Sequence, residues 1–282
     1  MINYPSRGSY NFLGLENVKP EESDVVIFPV PYDSTTSYRP GTRFAPRAII
    51  LASNELETFD LELKKDLSRV KICTLPELEP DVSSPEGTID LVSRVIDQIL
   101  TLEKFPIMLG GEHTVAVGGV KAAVKHYSDL SVLSLDAHAD LRNSFQNSEY
   151  SHACTMRRVL DYCQKVVWVG VRSMSEEEYM LIKDKGLKVY SKVENTNEIL
   201  EQLSDNVYLT IDLDVFDPSI ISVGTPVPAG LKWEEVLKLL RRLFKERNVI
   251  ATDVVELLPV QGRTSEDLAA QLVLKLIGYK FF

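Results

Sequence analysis

The sequence predicts an α/β fold in which helices cover both faces of a mostly parallel sheet. Two observations carry this prediction: short β-branched apolar runs recur along the 282 residues, and segments with apolar residues three and four positions apart lie between them. The apolar runs are continuous rather than alternating, which is typical of strands buried on both faces. The regular alternation of such strands with helices indicates βαβ units.

Eight apolar runs are strand candidates, and seven of the segments around them are helix candidates. The predicted strands are Asp24–Val30, Arg69–Leu75, Phe105–Leu109, Leu130–Leu135, Lys165–Val171, Leu187–Tyr190, Val207–Ile211 and Val249–Val255. The predicted helices are Pro85–Leu102, His113–Tyr127, Met156–Cys163, Glu176–Lys183, Glu194–Leu203, Trp233–Glu246 and Ser265–Ile277. These elements fit one layered core, so we expect residues 1–282 to form a single domain. In such sheets ligands bind beyond the carboxyl ends of the strands, where functional residues are therefore expected.

The composition excludes several classes of function. The chain has 41 acidic and 31 basic residues, and its net charge of −10 argues against a nucleic-acid surface and weakly favours a cationic ligand. Its three cysteines, Cys73, Cys154 and Cys163, form no CxxC pair and are expected to be reduced thiols. The amino-terminal MINYPSRGSYNF has no apolar signal core, and no apolar run is long enough to span a bilayer. We therefore expect a cytoplasmic protein that binds neither nucleic acid nor membrane.

Polar segments follow or end three of the predicted strands. They are LGGEHT at Leu109–Thr114, SLDAHAD at Ser134–Asp140 and TIDLDVFDP at Thr210–Pro218. Any one of them has an ordinary explanation as a helix cap or a turn, but three of them at strand ends of one fold indicate a shared site. The side chains that they bring to this site are His113, Asp136, His138, Asp140, Asp212 and Asp214.

The residue types and their spacing indicate a metal site. Asp136, His138 and Asp140 alternate along the chain, so on an extended backbone their side chains point to one side, and Asp212 and Asp214 have the same spacing. Clustered carboxylates at the mouth of a buried sheet repel one another unless cations compensate them. Imidazole and carboxylate ligands together suit manganese, iron or zinc, and the absence of cysteine argues against a structural zinc site. Six such ligands can hold two ions if an aspartate bridges them, and paired ions activate water near neutral pH.

The three segments resemble the signature motifs of the ureohydrolases, the arginase and agmatinase family. GGEHT is similar to that family's GGDHS, DAHAD to its DAHxD and TIDLDVFDP to its SxDxDxxDP. The similarity extends to Pro31–Ile49 (PYDSTTSYRPGTRFAPRAI), Thr225–Leu231 (TPVPAGL) and Asp253–Pro259 (DVVELLP). The resemblance implies a three-layer αβα fold with an eight-stranded, mostly parallel sheet. It also implies a homo-oligomer, usually a trimer or a hexamer.

Two manganese ions per subunit are implied by the same resemblance. One ion would be held by His113, Asp136, Asp140 and Asp212, and the other by Asp136, His138, Asp212 and Asp214. Asp136 and Asp212 would bridge the two ions. Asp140 would act as a catalytic residue as well, because it would orient the bridging hydroxide by a hydrogen bond.

The family resemblance assigns three more residues to a guanidine substrate. His152 lies in YSHACTMRRV, which is similar to an agmatinase segment with a histidine at this place, and it is expected to transfer a proton to the leaving amine. Glu256 follows the last predicted strand, where a carboxylate can form a forked pair with a guanidinium. Thr225 is expected to line the substrate site with them. The implied reaction is hydrolysis of the guanidine to urea and an amine.

The choice of guanidine depends on places where the chain differs from arginases. Arginases have an asparagine two residues after DAHxD and an RDVD segment after a strand; here these places hold Arg142 and the sequence VRSMS at Val171–Ser175. These differences favour agmatine as the substrate and putrescine as the product, with N1-aminopropylagmatine and arginine as alternatives. Arg142 would oppose a cationic tail if it faced the pocket, and a guanidino acid such as guanidinobutyrate would then fit. Otherwise we expect it to pair with Asp140, Glu149 or a neighbouring subunit.

Two other classes of protein share parts of this pattern. A metal-dependent deacetylase has a distantly related fold but would use a single zinc ion with paired histidines, and the set of six ligands argues against it. A non-catalytic relative would be expected to lose at least one metal ligand, and none is lost here. The prediction is therefore a binuclear-manganese hydrolase that acts on a small cationic guanidine.

Overall fold

The computed structural model describes residues 10–260 and 264–282, and a parallel sheet of eight strands forms the centre of this part of the chain. The strands, in chain order, are β1 (Val25–Val30), β2 (Phe59–Asp60), β3 (Lys65–Asp66), β4 (Ile72–Thr74), β5 (Phe105–Gly110), β6 (Leu130–Leu135), β7 (Val166–Val169), β8 (Lys188–Tyr190), β9 (Asn206–Asp212) and β10 (Asn248–Val255). The order in the sheet is β4-β1-β5-β10-β9-β6-β7-β8, and every neighbouring pair is parallel. β2 and β3 form a separate antiparallel hairpin.

Helices cover both faces of the sheet. They are α1 (Ala45–Ser53), α2 (Pro85–Thr101), α3 (Ala116–His126), α4 (Thr155–Val159), α5 (Glu176–Lys185), α6 (Thr196–Glu201), α7 (Trp233–Glu246) and α8 (Ser265–Phe281). One apolar core holds buried side chains of α2, α3 and α4, and the other holds those of α1, α6, α7 and α8. Successive residues of β1 enter opposite cores, since Val26 and Phe28 pack with the first and Val25 and Ile27 with the second. No helix within residues 10–260 or 264–282 is long and apolar enough to cross a bilayer.

The predicted strands and the three-layer αβα arrangement are confirmed. The strand ends differ from the prediction by no more than three residues, because burial on both faces makes the strands continuous apolar runs. The single-domain prediction for residues 1–282 stays a prediction. It extends over residues 1–9 and 261–263, which lie outside the described residues, as does most of the MINYPSRGSYNF segment.

The helices differ from the sequence-based expectation more than the strands do, and α8 for example continues to Phe281, four residues beyond its predicted end. α1 is not predicted, because the continuous apolar run from Ala48 to Ala52 hides the helical spacing of the buried Ala45 and Ile49, although Pro46 in the first turn is a typical start signal. α6 is shorter than expected because the side chain of Asn195 caps it by accepting the Glu198 N–H. α4 ends at Val159, and the chain then turns towards β7 with the Cys163 thiol 3.3 Å from the Leu130 carbonyl.

The strand order brings the polar strand ends together. β5, β10, β9 and β6 are consecutive in the sheet although β10 comes last in the sequence. Their carboxyl ends therefore lie side by side at one edge. His113 follows β5, Asp136 follows β6, Asp212 ends β9 and Glu256 follows β10.

Candidate active site

His113 is the centre of a first group of ligands. The residue is fully buried, and its Nδ1 atom lies 3.2 Å from Asp136 Oδ2, 3.1 Å from Asp140 Oδ2 and 3.6 Å from Asp212 Oδ2. One imidazole nitrogen thus faces three carboxylate oxygens from two other strand ends. This arrangement has the donor types and the closeness that a transition-metal site needs.

His138 is the centre of a second group. Its Nδ1 atom lies 2.8 Å from Asp214 Oδ2 and 3.8 Å from Asp136 Oδ1. The other oxygen of Asp214 accepts the Ala137 N–H at 2.8 Å, which holds the end of β9 against the end of β6. Asp136 therefore offers one oxygen to each histidine, as a bridging carboxylate would.

The structure brings all six predicted metal ligands together. Two groups have donor atoms within 4.8 Å of one another, namely His113 with Asp136 and Asp140, and Asp136 with His138 and Asp214. Asp212 belongs to neither of these groups, although its Oδ2 atom faces His113 and its Oδ1 atom accepts the Asp214 N–H at 2.9 Å. Asp136 is therefore the shared residue, and bridging by Asp212 stays a prediction.

The electrostatics of the cluster fit divalent cations. Burial and the charges of Asp140 and Asp214 raise the pKa of Asp136 to about 8, and burial with the charges of Asp214 and Asp136 raises the pKa of Asp212. Asp136 Oδ2 is buried, and no described residue donates a hydrogen bond to it. In the described part of the chain, the ion pairs of these four carboxylates are all with His113 and His138. Metal ions can replace the protons that such a cluster would otherwise keep, so the donor set fits them.

Glu256 and His152 form a second functional unit beside the metal cluster. Glu256 Oε1 accepts the His113 N–H at 2.8 Å and lies 3.3 Å from His152 Nδ1. Burial by itself lowers the pKa of His152, but the hydrogen bond and charge of Glu256 outweigh it and raise the pKa to about 9. The second oxygen of Glu256, Oε2, is buried and accepts no hydrogen bond from the residues that the structure describes. A buried carboxylate oxygen that lacks a hydrogen-bond donor can bind a ligand that supplies one.

The backbone of two of these residues is strained. Asp140 has φ of 52° and Glu256 has φ of 66°, in the left-handed region that residues other than glycine seldom occupy. Arg157 donates its N–H to the Asp140 carbonyl at 3.0 Å, and Glu256 donates its N–H to the Gly111 carbonyl at 2.7 Å. Such strain persists where surrounding contacts impose it, and it is concentrated at functional sites.

The segment Pro31–Ile49 contributes directly to the site, which its sequence alone does not reveal. Thr35 donates its N–H and its hydroxyl to the buried carboxylate of Glu112, and its hydroxyl oxygen accepts the His152 N–H at 2.9 Å. Ser37 Oγ lies 2.8 Å from His152 Nε2. Both ring nitrogens of His152 therefore have polar neighbours, Glu256 on one side and Ser37 on the other.

Thr225 lies next to this unit. The isolated bridge between Val223 and Leu257 places its segment beside Glu256. A side-chain carbon added to Gly224 would lie 3.1 Å from the Arg39 carbonyl oxygen and 3.8 Å from Glu256 Oε2, so the backbone passes close to Glu256 at this glycine. Thr225 itself is partly exposed, and its contact with substrate stays a prediction.

Arg142 is held away from the metal ligands. Its Nε atom lies 4.0 Å from the buried Glu178, and its guanidinium lies over the Phe145 ring at 4.9 Å from the centroid. Glu149 instead contacts Arg158 at 3.7 Å. Among the described residues Arg142 pairs with Glu178 on α5, so the expected pairing with Asp140 or Glu149 is wrong, and pairing with a neighbouring subunit stays a prediction.

Arg172 takes the place where arginases have RDVD, and it acts as a structural anchor. Six backbone carbonyl oxygens lie within 3.4 Å of its guanidinium nitrogens, those of Gly170, Asp214, Val215, Phe216, Val227 and Pro228. Its planar group of five N–H donors can serve several carbonyls at once, which a lysine cannot. Arg172 thus ties the Asp214 loop to the TPVPAGL segment and to the end of β7.

Replacing Arg172 with lysine is expected to lower the free energy of unfolding by about 2–3 kcal/mol, because several carbonyls lose a charged donor. Scanning calorimetry measures the effect, with Arg94→Lys on the exposed side of α2 as the matched control. Equal melting temperatures for the two variants would contradict the anchoring role.

Comparison with known proteins agrees with this geometry. Residues 23–278 match the Arginase family, and the chain therefore belongs to the arginase family. An N(1)-aminopropylagmatine ureohydrolase from Synechocystis sp. is 38% identical over 273 residues, which cover 92% of this chain and 89% of that protein. An agmatinase from Bacillus cereus is 35% identical, over 87% of each chain.

A solved structure shows the same fold. The crystal structure of agmatine ureohydrolase of Thermoplasma volcanium has a TM-score of 0.86 and 33% identity, and the match covers 93% of this chain and 92% of that one. The predicted family and the predicted hydrolase class are thereby confirmed. Within the arginase family, this chain is a ureohydrolase that resembles agmatinases.

Proposed function

We propose that this protein is an agmatinase-type enzyme that uses two manganese ions to hydrolyse agmatine to putrescine and urea. The observation that carries the proposal is Glu256 Oε2, a buried carboxylate oxygen beside the His and Asp cluster that accepts no hydrogen bond from residues 10–260 or 264–282. A guanidinium brings planar N–H donors and a positive charge to such an oxygen. The proposed ligands are His113, Asp136, His138, Asp140, Asp212 and Asp214.

The ions, when bound, supply an activated water molecule and compensate developing negative charge. Glu256 orients the guanidinium, and its own Oε1 atom is fixed by the His113 N–H. Asp140 has the most exposed side chain of the four aspartates, at 11%, and is therefore placed to accept a proton from water.

His152 is the proposed donor of the proton that the product amine carries away. Its pKa of about 9 keeps it protonated at neutral pH. In the proposed reaction, the water oxygen bonds to the guanidinium carbon and the bond from this carbon to the alkyl-bearing nitrogen breaks. The amine leaves with the proton from His152, and the remaining fragment becomes urea when it returns its hydroxyl proton to His152. The proton that Asp140 takes from water then passes to the free amine, which leaves as an ammonium.

The position of Arg142 supports a cationic tail on the substrate. Because Glu178 lies 4.0 Å from this arginine and compensates part of its charge, the arginine opposes an ammonium group less than an unpaired cation would. N1-aminopropylagmatine is the second candidate, and a relative that is 38% identical carries that substrate in its name.

Incubation of the manganese-loaded protein with four guanidines tests the proposal. We expect urea from agmatine, and urea from aminopropylagmatine at a higher kcat/KM would move the assignment to the second candidate. Arginine and guanidinobutyrate are expected to release little urea, since this chain lacks the asparagine and the RDVD segment of arginases that would bind their carboxylates. Urea from arginine alone would contradict the agmatine assignment, and urea from none of the four would contradict the function.

The proposal includes a cytoplasmic homo-oligomer, either a trimer or a hexamer. The three cysteines are free and buried, which agrees with a reducing compartment. Apolar side chains such as Tyr179 and Met180 are about half exposed on α5, where a neighbouring subunit would cover them.

A further inference from the structure

Two successive buried hydrogen bonds lead from the Nε2 atom of His113 into the sheet. His113 Nε2 lies 2.9 Å from Thr210 Oγ1, and the Thr210 hydroxyl donates to Asp253 Oδ1 at 2.6 Å. Thr210 and Asp253 face each other in the register of β9 and β10, and neither is exposed to solvent. Thr210 contacts the Nε2 atom of His113, whereas the carboxylates of the cluster face its Nδ1 atom, and the proposed chemistry does not use Thr210 or Asp253 directly.

The direction of the hydrogen bonds determines which imidazole nitrogen carries the proton. A hydroxyl has one hydrogen, and the hydrogen of Thr210 points to Asp253, whose carboxylate can only accept. Thr210 Oγ1 must therefore accept from His113, which places a hydrogen on Nε2. The lone pair of Nδ1 is then directed to the side where Asp136, Asp140 and Asp212 lie.

The opposite tautomer is disfavoured by the same contacts. It would require the Thr210 hydroxyl to donate to Nε2, and Asp253 Oδ1 would lose its donor in a buried place. It would also direct an N–H at the position a cation would take. Metal-binding histidines commonly have their second nitrogen fixed in this way by an outer partner.

We propose that Thr210 and Asp253 are positioning residues that keep the proton of His113 on Nε2 and so direct Nδ1 towards a divalent ion. The inference rests on the proposed metal-binding role of His113. It adds two residues on strands β9 and β10 that influence metal affinity without contacting metal or substrate.

Titration calorimetry of Mn²⁺ into the metal-stripped full chain tests the inference. Thr210→Val, which keeps the shape and removes the hydroxyl, is expected to weaken manganese binding by about 10–100-fold, while Thr210→Ser restores most of the affinity. Thr252→Val is the matched control, because Thr252 is buried on β10 and its hydroxyl has only a 3.5 Å contact with the Asp253 carbonyl. We expect this control to bind as the wild type does.

The outcomes separate the inference from the function on which it rests. Wild-type protein that binds no manganese would contradict the proposed function. If the wild type binds manganese and Thr210→Val binds it with the same affinity, the positioning role is overturned. It is also overturned if the valine and serine variants lose the same amount of affinity. Circular dichroism checks folding, and if the valine variant does not fold, Thr210→Ala and Thr210→Ser form a second pair in which alanine is expected to bind more weakly.

Discussion

Asp214→Asn is expected to reduce urea release by more than about 100-fold, since the loss of an outer partner alone costs 10–100-fold and Asp214 is a proposed direct ligand. The amide keeps the shape of the side chain, and its oxygen can still accept the Ala137 N–H that Asp214 Oδ1 now accepts. It removes the negative charge that lies 2.8 Å from His138 Nδ1. The metal-free variant is expected to stay folded, because one of four mutually repelling carboxylates is gone.

Metal binding and thermal unfolding measure this first prediction together with activity. The variant is expected to bind fewer manganese ions per chain than the wild type. Because binding to the native state stabilises that state, added manganese is also expected to raise the melting temperature of the variant by less. Asp217→Asn is the matched control from the same TIDLDVFDP segment, because Asp217 accepts the N–H groups of Ser219 and Gly230 and is not a proposed ligand. Wild-type turnover in Asp214→Asn would exclude its role as a ligand.

Glu256→Gln is expected to lower kcat/KM for agmatine by about 100-fold or more, because hydrogen bonds to charged groups contribute about 1.5–3 kcal/mol each. Glutamine keeps the length of the side chain but cannot present two acceptor oxygens to a guanidinium. The substitution also removes the charge that raises the pKa of His152. His152 must be protonated to act as an acid, so the alkaline limb of the pH profile is expected to move to lower pH.

Steady-state kinetics over a range of pH, together with metal content, test this second prediction. The metal content is expected to stay near that of the wild type, because Glu256 is not among the proposed ligands. Glu149→Gln is the control, since Glu149 lies on the loop before His152, is 61% exposed and faces Arg158. Full activity in Glu256→Gln would contradict the proposed guanidinium contact, and a loss of metal would show that its effect is indirect.

The sequence by itself was enough to predict the sheet and the metal cluster. The strands are continuous apolar runs because both of their faces are buried, and that pattern is local in the chain. DAHAD and TIDLDVFDP have their ligands at two-residue spacing, and their placement at the ends of parallel strands puts them at one edge of the sheet. The adjacency of β6 and β9 in the sheet then brings the two segments into contact. His113, Asp136, His138 and Asp214 therefore meet as the sequence predicts.

The tertiary structure alone decided which partners these residues have. Arg142 pairs with Glu178, and Thr35 joins Glu112 to His152, although these residues are far apart in the sequence. No local periodicity encodes such contacts, because they depend on which loops the strand order makes adjacent.

The hydrogen bonds that join His113, Thr210 and Asp253 likewise depend partly on the sequence and partly on the tertiary structure. The sequence determined that a histidine follows β5, but only the insertion of β10 between β5 and β9 places Asp253 beside Thr210. The physical reason is the parallel sheet itself, in which neighbouring strands are distant in sequence and their side chains meet only after the sheet has formed.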